Sequence, residues 1–330
     1  MARASSARKT TRSRARADAR LGLLYGERLG EALRRMALGQ IDVALESLGG
    51  ELPLDARAVH ELRKSIKRLR ALLRLLEGEL EHANAEDRVL RDLGRRLSGA
   101  RDAAVLLGTL ESVLAEQPKL TASKRVRSVR RQLALEQARA ERETLADPRL
   151  REEMLADLAQ LRERVERWRL FEDGRDASVE QGLRAIYRRG RRQHRRLERG
   201  KRSGPRERHE WRKRVKDLRY AAEVLQRSGP APADPRSARA AHMHRTAKGA
   251  DRLAELLGEE HDLGLLARWL DGEGERDATG RRALGSRTRR KLRGAIATRR
   301  RKLRKRAMKD GKRLYRRRPK RFAARAGLVS

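Results

Sequence analysis

The sequence has no cysteine, few aromatic residues and no long apolar run. The lack of cysteine excludes disulfides and thiolate metal sites, and it favours an intracellular location. Because no apolar run approaches the ~20 residues that a helix needs to cross a bilayer, we expect no membrane span. Aromatic residues make up only 3% of the chain, so the core must consist of Leu, Ala and Val. This composition favours helix over sheet and predicts an all-α fold.

Acidic residues are outnumbered by basic ones, with 46 Asp and Glu against 85 Lys and Arg, for a net charge of +39. A compact domain with this charge repels itself unless a polyanion neutralises it. A high background of arginine would inflate the count, but it would not arrange the charges on one face. We predict a disordered basic tail over residues 1–20, with a transit peptide as the alternative.

Apolar residues recur at helical spacing from residue 21 onward, and no segment has the pattern of a strand ladder. Glycine and proline at 229–235 form the clearest break. The basic segment 299–321 is compatible with a long helix or a partly frayed tail. Helices are predicted over 21–48, 55–80, 86–115, 120–145, 148–170, 176–199, 205–227, 237–270 with an internal break, and 287–313.

The chain contains an internal repeat. HELRKSIKRLR at 60–70 matches HEWRKRVKDLR at 209–219 in seven of eleven positions. A second pair of matching segments follows, 99–110 and 259–270, aligned around Asp102 and Asp262. Two matches in the same order indicate a duplicated helical unit.

The first copy places its basic residues on one side of a helix. At 100° per residue, five of them fall within about 80° of arc, and one lysine flanks them. The apolar residues occupy the opposite side, which predicts an amphipathic helix. The basic stripe consists of His60, Arg63, Lys67, Arg70 and Arg74, with Lys64 beside it.

The second copy repeats this face, but Glu223 stands where the first copy has Arg74. We therefore expect the first helix to bind an anion more strongly. A third stripe lies just before the second copy, and we expect it to extend the same basic wall. The second stripe consists of His209, Arg212, Lys216 and Arg219 with Lys213 and Tyr220 beside it, and the third includes Arg188, Arg191 and Arg195.

Stacking like charges at turn spacing costs a helix a few tenths of a kcal/mol per pair, roughly. A solvated surface would explain the charge, but such surfaces normally mix signs. Arginine grips phosphate oxygens with a planar fork, and a cation every ~5.4 Å suits a linear chain of phosphates. The two histidines either donate to phosphate, which raises their protonation, or bond to backbone at the helix start.

These residues, in this order, resemble the CHAD family, helical domains named for their histidines. The family's H-x-x-R-x-x-x-[KR]-x-x-R helix occurs in both copies, and the second ends in LRY at 218–220. A later L-G-x-x-x-D element is present at Leu257, Gly258 and Asp262. Segments 187–191 and 314–322 are also similar to the family.

The resemblance implies one CHAD domain over 21–325, with halves at 21–172 and 173–325. It implies two antiparallel four-helix bundles, related by a pseudo-twofold axis, around a basic groove or pore. Family members bind inorganic polyphosphate, so we expect a cytoplasmic polyphosphate-binding protein at polyphosphate granules. The E-x-E-x-K signature of the CYTH triphosphatase domain, often fused to CHAD, is not found. We therefore expect no enzyme activity, no cofactor and no metal.

Two other functions fit parts of the sequence. A nucleic-acid-binding protein would use the same basic surface, because both polymers bind through phosphates. The repeated faces, however, carry no aromatic platform apart from Tyr220. A metal-dependent phosphohydrolase would need ligands such as His242, His244, His261 and Asp262, whose spacing fits no known signature. Chain-length preference, oligomeric state and biological role stay open at this level.

Overall fold

The computed structural model describes residues 21–24, 26–50, 52, 54, 56–97, 99–171, 177–200, 204–226, 237–272 and 284–326. The predicted tail over 1–20 lies outside them. The described backbone is helical apart from turns, short connections and one isolated bridge residue, so the all-α prediction is confirmed. No helix in this part of the chain combines the length and hydrophobicity needed to cross a membrane.

Twelve helices are described. The first seven are α1 Leu29–Leu48, α2 Ala56–Leu75, α3 Ala83–Arg96, α4 Gly99–Ala115, α5 Pro118–Thr121, α6 Lys124–Leu145 and α7 Pro148–Glu166. The other five are α8 Ala177–Arg199, α9 Pro205–Leu225, α10 Ser237–Asp271, α11 Ser286–Leu314 and α12 Pro319–Ala324.

Local sequence explains several helix starts. Proline is the first residue of α7, α9 and α12, where its missing N–H costs nothing. The Asp147 side chain caps α7 by accepting hydrogen bonds from the backbone N–H groups of Arg149 at 3.0 Å and Leu150 at 3.3 Å. Helices α5 and α12 were not predicted, because each is at most six residues long.

The predicted helix over 86–115 is wrong in one respect, since it is interrupted between α3 and α4. The internal break predicted within 237–270 is also wrong, because α10 runs unbroken from Ser237 to Asp271. Neighbouring helices explain the difference. Helices α9, α11 and α4 pack against α10, whereas the end of α3 has carbonyl groups that accept hydrogen bonds from an α2 side chain.

The larger core joins most of the chain. Helices α1, α2, α3 and α7 pack together and bury residues such as Leu33, Leu62, Leu90 and Leu158. The same cluster continues through α8, α9, the first part of α10 and α12.

A second, smaller core lies apart from the first. Helices α4 and α6 form a hairpin that packs against α10 and α11. Leu110 and Leu133 of this hairpin meet Leu266 and Ile296 of the other pair. The first half of the chain therefore supplies a hairpin that packs on helices of the second half.

The two helices that carry the repeated motif lie next to each other. Helix α2 packs against both α8 and α9, which places the repeat at the junction of the two halves. In the first half the motif helix α2 is followed by two helices, α3 and α4, whereas in the second half α9 is followed by the single long helix α10. The pseudo-twofold relation between two bundles stays a prediction.

Candidate anion-binding site

The apolar faces of both motif helices are buried as predicted. On α9 the buried residues are Trp211, Val215, Leu218, Ala222 and Leu225. On α2, and at Leu76 directly after it, they are Val59, Leu62, Ile66, Leu69, Leu73 and Leu76. Because these stripes fix the rotation of each helix, the basic residues are directed away from the core.

The second basic stripe lines a groove of about 580 Å³ between α4, α9 and α10. Arg212, Lys216 and Arg219 form its α9 wall. They are half-buried, which holds them close to the groove and lowers the dielectric around them. Small residues form much of the rest of the lining, namely Gly108, Thr109, Ser112, Ala254 and Gly258.

Gly258 has a specific steric role in this groove. A Cβ atom at this position would lie 3.2 Å from Nη2 of Arg212. The absence of a side chain thus lets the Arg212 guanidinium lie against α10. Local sequence spacing does not relate this glycine to Arg212, because the two residues are 46 positions apart along the chain. Only the family resemblance identifies Gly258 in the sequence.

The α10 side of the groove is acidic, which the sequence did not predict. Glu255, Glu259 and Asp262 line it. Arg299 of α11 also lines the groove and forms ion pairs with Glu259 at 2.5 Å and Glu116 at 3.0 Å. The groove therefore has a basic wall on α9 and a mixed wall on α10 and α11.

Arg219 lies between two acidic residues. It pairs with Glu223 at 2.7 Å and Asp251 at 2.5 Å, and its guanidinium carbon lies 5.3 Å from the centre of the Tyr220 ring. Burial opposes its charge, but the hydrogen bond and charge of Glu223, together with the charges of Tyr220 and Asp251, outweigh burial and raise the Arg219 pKa. Tyr220 is buried and its pKa is raised for that reason, so its ring is not open to a ligand.

His209 faces a second histidine. The ring centres of His209 and His261 are 4.5 Å apart. Burial, followed by the charges of Lys213 and Arg212, lowers the pKa of His209. Burial and the neighbouring His209 lower the pKa of His261 to about 4. Both rings are therefore neutral at pH 7, and the stripe begins with Arg212 as its first permanent charge.

Arg63 of the first stripe joins two helices. Its guanidinium donates hydrogen bonds to the carbonyl oxygens of Leu97 and of Gly94, the latter at 3.4 Å. These carbonyls lie at the end of α3, where the last carbonyl groups of a helix have no partner within the helix itself. Arg63 therefore caps α3, which accounts for its position at the interruption between α3 and α4.

Arg70 and Arg74 also bind protein carboxylates. Arg70 holds Asp87 with two hydrogen bonds of 2.9 and 3.0 Å. Arg74 reaches Asp87 at 3.1 Å and also Asp217 of α9. Burial opposes the charge of Asp87, but the Arg70 hydrogen bond and the Arg74 charge outweigh it and lower its pKa. Arg74 is therefore held by two carboxylates, as Arg219 is in the second copy, and stronger anion binding by the first helix stays a prediction.

The remaining predicted residues lie nearer the surface. His60 is exposed and Lys67 is half-buried. Lys64 pairs with Glu61 at 3.4 Å, and Lys213 pairs with Glu210 at 2.7 Å. Such exposed pairs are weak, about 0.2–1 kcal/mol, so a phosphate polymer can replace the carboxylate.

The third stripe lies on a different surface. Arg188, Arg191 and Arg195 line a depression of about 580 Å³ on α8, next to Pro319 of α12. Among the described residues, none lines both this depression and the α9 groove. The two described linings therefore do not overlap, and the continuous basic wall stays a prediction.

A cavity of about 1130 Å³ lies between α1, α2, α9 and α10 and has a mixed lining. Basic residues such as Arg57, Arg68 and Lys248 line it together with acids such as Glu46 and Asp251. Its described lining contains four Lys and Arg side chains and four Asp and Glu side chains.

The histidines considered as metal ligands are dispersed. The His242 ring packs edge-on against Phe322 at 5.1 Å, His244 lines the cavity between α1, α2, α9 and α10, and His261 faces His209. No group of three or more His, Asp or Glu suited to a metal is found among the described residues.

The fold and these surfaces describe an all-helical protein with a basic groove at the junction of its halves. The CHAD domain family model matches residues 35–271. The chain therefore belongs to the CHAD family. A comparison with curated proteins gave no match.

The fold is also similar to a solved structure, the crystal structure of the CHAD domain from the plant Ricinus communis. The TM-score is 0.56 at 21% sequence identity, and the match covers 84% of this chain and 89% of the plant chain. The C-terminal helices lie beyond the family match, yet Ile296 and Phe322 are buried in the two cores.

Proposed function

We propose that the protein binds inorganic polyphosphate in the groove lined by Arg212, Lys216 and Arg219. The observation that carries the proposal is that three cations on successive turns of α9 line one groove. Membership of the CHAD family supports polyphosphate as the polymer, since family members bind it. Cytoplasmic granules of polyphosphate are the proposed location.

Binding proceeds by charge neutralisation and involves no chemical step. The guanidinium of Arg212 offers paired N–H donors to phosphate oxygens, and Lys216 adds a mobile charge. Since Glu255 and Asp262 repel phosphate from the α10 side, the polymer follows α9. Ordered cations in a half-buried groove need little rearrangement, which lowers the entropic cost of binding.

The lining favours polyphosphate over nucleic acid. Single-stranded nucleic acids are usually held by aromatic rings on which bases stack. None of the described residues that line the groove is aromatic, and the neighbouring Tyr220 is buried. Polyphosphate has no bases, so the lack of an aromatic ring in the groove does not weaken its binding.

The test is a titration with long-chain polyphosphate of the wild type and of the double variant Arg212→Glu/Lys216→Glu. Each charge-assisted hydrogen bond contributes about 1.5–3 kcal/mol, so affinity should fall about 100-fold or more. Binding should weaken with salt, and the double variant should show a shallower salt dependence. Arg63 is unsuitable for this test, because reversing it would uncap α3.

The matched control reverses Lys124 and Arg127, two exposed cations on α6, which changes the net charge equally. Its affinity should stay within about threefold of the wild type, since distant exposed charges are screened. Equal losses of affinity in the two double variants would contradict the assignment of the binding site to the α9 groove. Duplex DNA that displaced polyphosphate at equal phosphate concentration would instead indicate a nucleic-acid-binding protein.

A further inference from the structure

His209 of α9 and His261 of α10 form a pair of facing imidazole rings. Their ring centres are 4.5 Å apart, and the ring planes are inclined by 34°. Both side chains are half-buried. The Nδ1 atom of His209 is buried and has no hydrogen-bond partner among the described residues. A ring nitrogen of this kind gains a hydrogen bond when one ring of the pair is protonated and donates its N–H to the other.

The pair lies at one end of the α9 groove. Arg212 is about one helical turn beyond His209, and Gly258 is about one turn before His261. Both Arg212 and Gly258 line the groove, and the Arg212 guanidinium lies against Gly258. A phosphate held by Arg212 therefore lies about one helical turn, ~5 Å, from the two rings.

Cations outnumber acids around the pair. Burial is the largest cause of the lowered pKa of each ring, neighbouring charges add to it, and the pKa of His261 is about 4. The acids that favour protonation are Glu210 and Glu260, but Glu260 is shared with arginines of α9 and α11. The described part of α4 that lines the groove beside the pair adds no charge. The cations that oppose protonation are Arg212, Lys213 and Lys216 of α9 and Arg268 of α10, and the arginines that share Glu260 are Arg208, Arg300 and Arg304.

A bound phosphate polymer reverses this balance. Its negative charges favour a protonated imidazole, which the cations around the groove otherwise disfavour. A histidine that is less acidic in the complex than in the free protein takes up a proton on binding, and the affinity then rises as the pH falls. Only one ring carries the proton, because two charged rings 4.5 Å apart repel each other.

We infer that the pair of His209 and His261 couples polyphosphate binding in the α9 groove to the uptake of one proton from solvent, so that the groove holds the polymer more tightly at about pH 6 than at about pH 8. The inference rests on the proposed function and adds regulation by pH to it. Arginine and lysine side chains remain charged across this range. The basic stripe by itself therefore supplies affinity without pH dependence, and the histidine pair supplies the pH dependence.

The experiment titrates the full chain with long-chain polyphosphate at pH 6 and pH 8 and at constant ionic strength. Long chains are used because only their terminal phosphates titrate in this range. Calorimetry in two buffers of different protonation enthalpy counts the protons that are taken up on binding. The test variant is His209→Gln/His261→Gln. Circular dichroism checks that each variant remains helical.

The matched control is His82→Gln/His244→Gln, which also removes two histidines. Both of these side chains are exposed, and neither belongs to the described lining of the α9 groove. The control therefore accounts for any pH dependence that arises from the general titration of histidines.

We expect the wild type to bind about tenfold more tightly at pH 6 than at pH 8 and to take up about half a proton or more, because affinity rises by up to the factor by which the polymer weakens the acidity of the protonated pair. The test variant should bind with affinities within about twofold of each other at the two pH values, since arginine and lysine alone remain. The control variant should keep the wild-type ratio. A wild-type ratio in the test variant would overturn the inference.

Measurements on the wild type separate the two proposals without any variant. Equal affinities at the two pH values without proton uptake would refute the coupling, while the proposed function would stand. If the wild type binds no polyphosphate at either pH, the proposed function fails, and the coupling fails with it.

Discussion

Arginine residues at equivalent positions of the two motif copies make different contacts. Arg63 donates to backbone carbonyls at the end of α3, whereas Arg212 lies against Gly258 and lines the groove. Both arginines are predictable as cations on a polar face. Which of them faces a ligand depends on the helix opposite, and that helix is interrupted in one half and continuous in the other.

Glu260 is a single buried carboxylate that serves as counter-ion to several arginine side chains. Its side chain is only 5% exposed, and its Oε1 atom lies 2.9 Å from Arg300, 2.8 Å from Arg304 and 3.4 Å from Arg208. These contacts tie together α9, α10 and α11. Burial opposes the negative charge, but the arginine charges outweigh it and lower the Glu260 pKa.

Glu260→Gln should destabilise the protein by about 3 kcal/mol, because it leaves three arginine side chains without their buried counter-ion. Urea denaturation at pH 7 measures this loss. A carboxylate with a lowered pKa contributes its full stability above the usual value of 4.5. That contribution disappears as the pH falls through the folded-state value, so the difference between variant and wild type should narrow below pH 4.5.

Glu255→Gln provides the control for this prediction. Glu255 lies on the same helix but is exposed, so its substitution should change the free energy of unfolding by no more than about 0.5 kcal/mol. Equal effects of the two substitutions would show that the Glu260 cluster adds no specific stability.

At the level of elements, the C-terminal segment turns back onto α8. Tyr187 stacks on Phe322 with ring centres 3.8 Å apart, and its hydroxyl donates to the carbonyl oxygens of Leu314 and Arg317 at 3.2 and 3.3 Å. From the sequence, residues 299–321 are compatible with either a long helix or a partly frayed tail. In the structure α11 ends at Leu314 and α12 begins at Pro319, because α8 supplies the aromatic partner.

The crossing of α2 and α8 requires a glycine. A Cβ atom at Gly182 would overlap the Leu75 carbonyl oxygen, and backbone cannot move aside as a flexible side chain can. Gly182→Ala should therefore lower the free energy of unfolding by about 1–3 kcal/mol through overpacking, measured by urea denaturation.

Gly294→Ala on α11 is the matched comparison. No atom lies within 4 Å of a Cβ atom built there, and the position is exposed within a helix. Alanine should then stabilise the protein by up to about 1 kcal/mol, since glycine is a poor helix former. A stabilising effect at both positions would contradict the close approach of α2 and α8.

Across the whole molecule, a net charge of +39 acts against compactness even though many arginines pair with acids. Ion pairs such as Arg70 with Asp87 and Arg164 with Glu86 join neighbouring helices. The arginines of α8, in contrast, share a depression whose described lining includes no acidic residue. Excess charge is therefore concentrated on particular surfaces, where a bound polyanion relieves it.

Long-chain polyphosphate should raise the melting temperature. At a free concentration 100 times the dissociation constant, binding to the folded state alone contributes about 2.7 kcal/mol. Thermal unfolding followed by circular dichroism measures the shift, with orthophosphate at equal phosphate concentration and sodium chloride at equal ionic strength as controls. A similar shift in all three solutions would show general screening in place of polymer binding.

The sequence alone determined the all-α class, the buried faces of α2 and α9, and the family resemblance. These depend on residues three or four positions apart, whose spacing fixes a helix face before any tertiary contact forms. Tertiary structure decided which cations remain for a ligand. Arg74 meets Asp217, 143 positions away, and the stripe of α8 faces away from the core. Such pairings depend on how helices pack, and no local pattern in the chain contains that information.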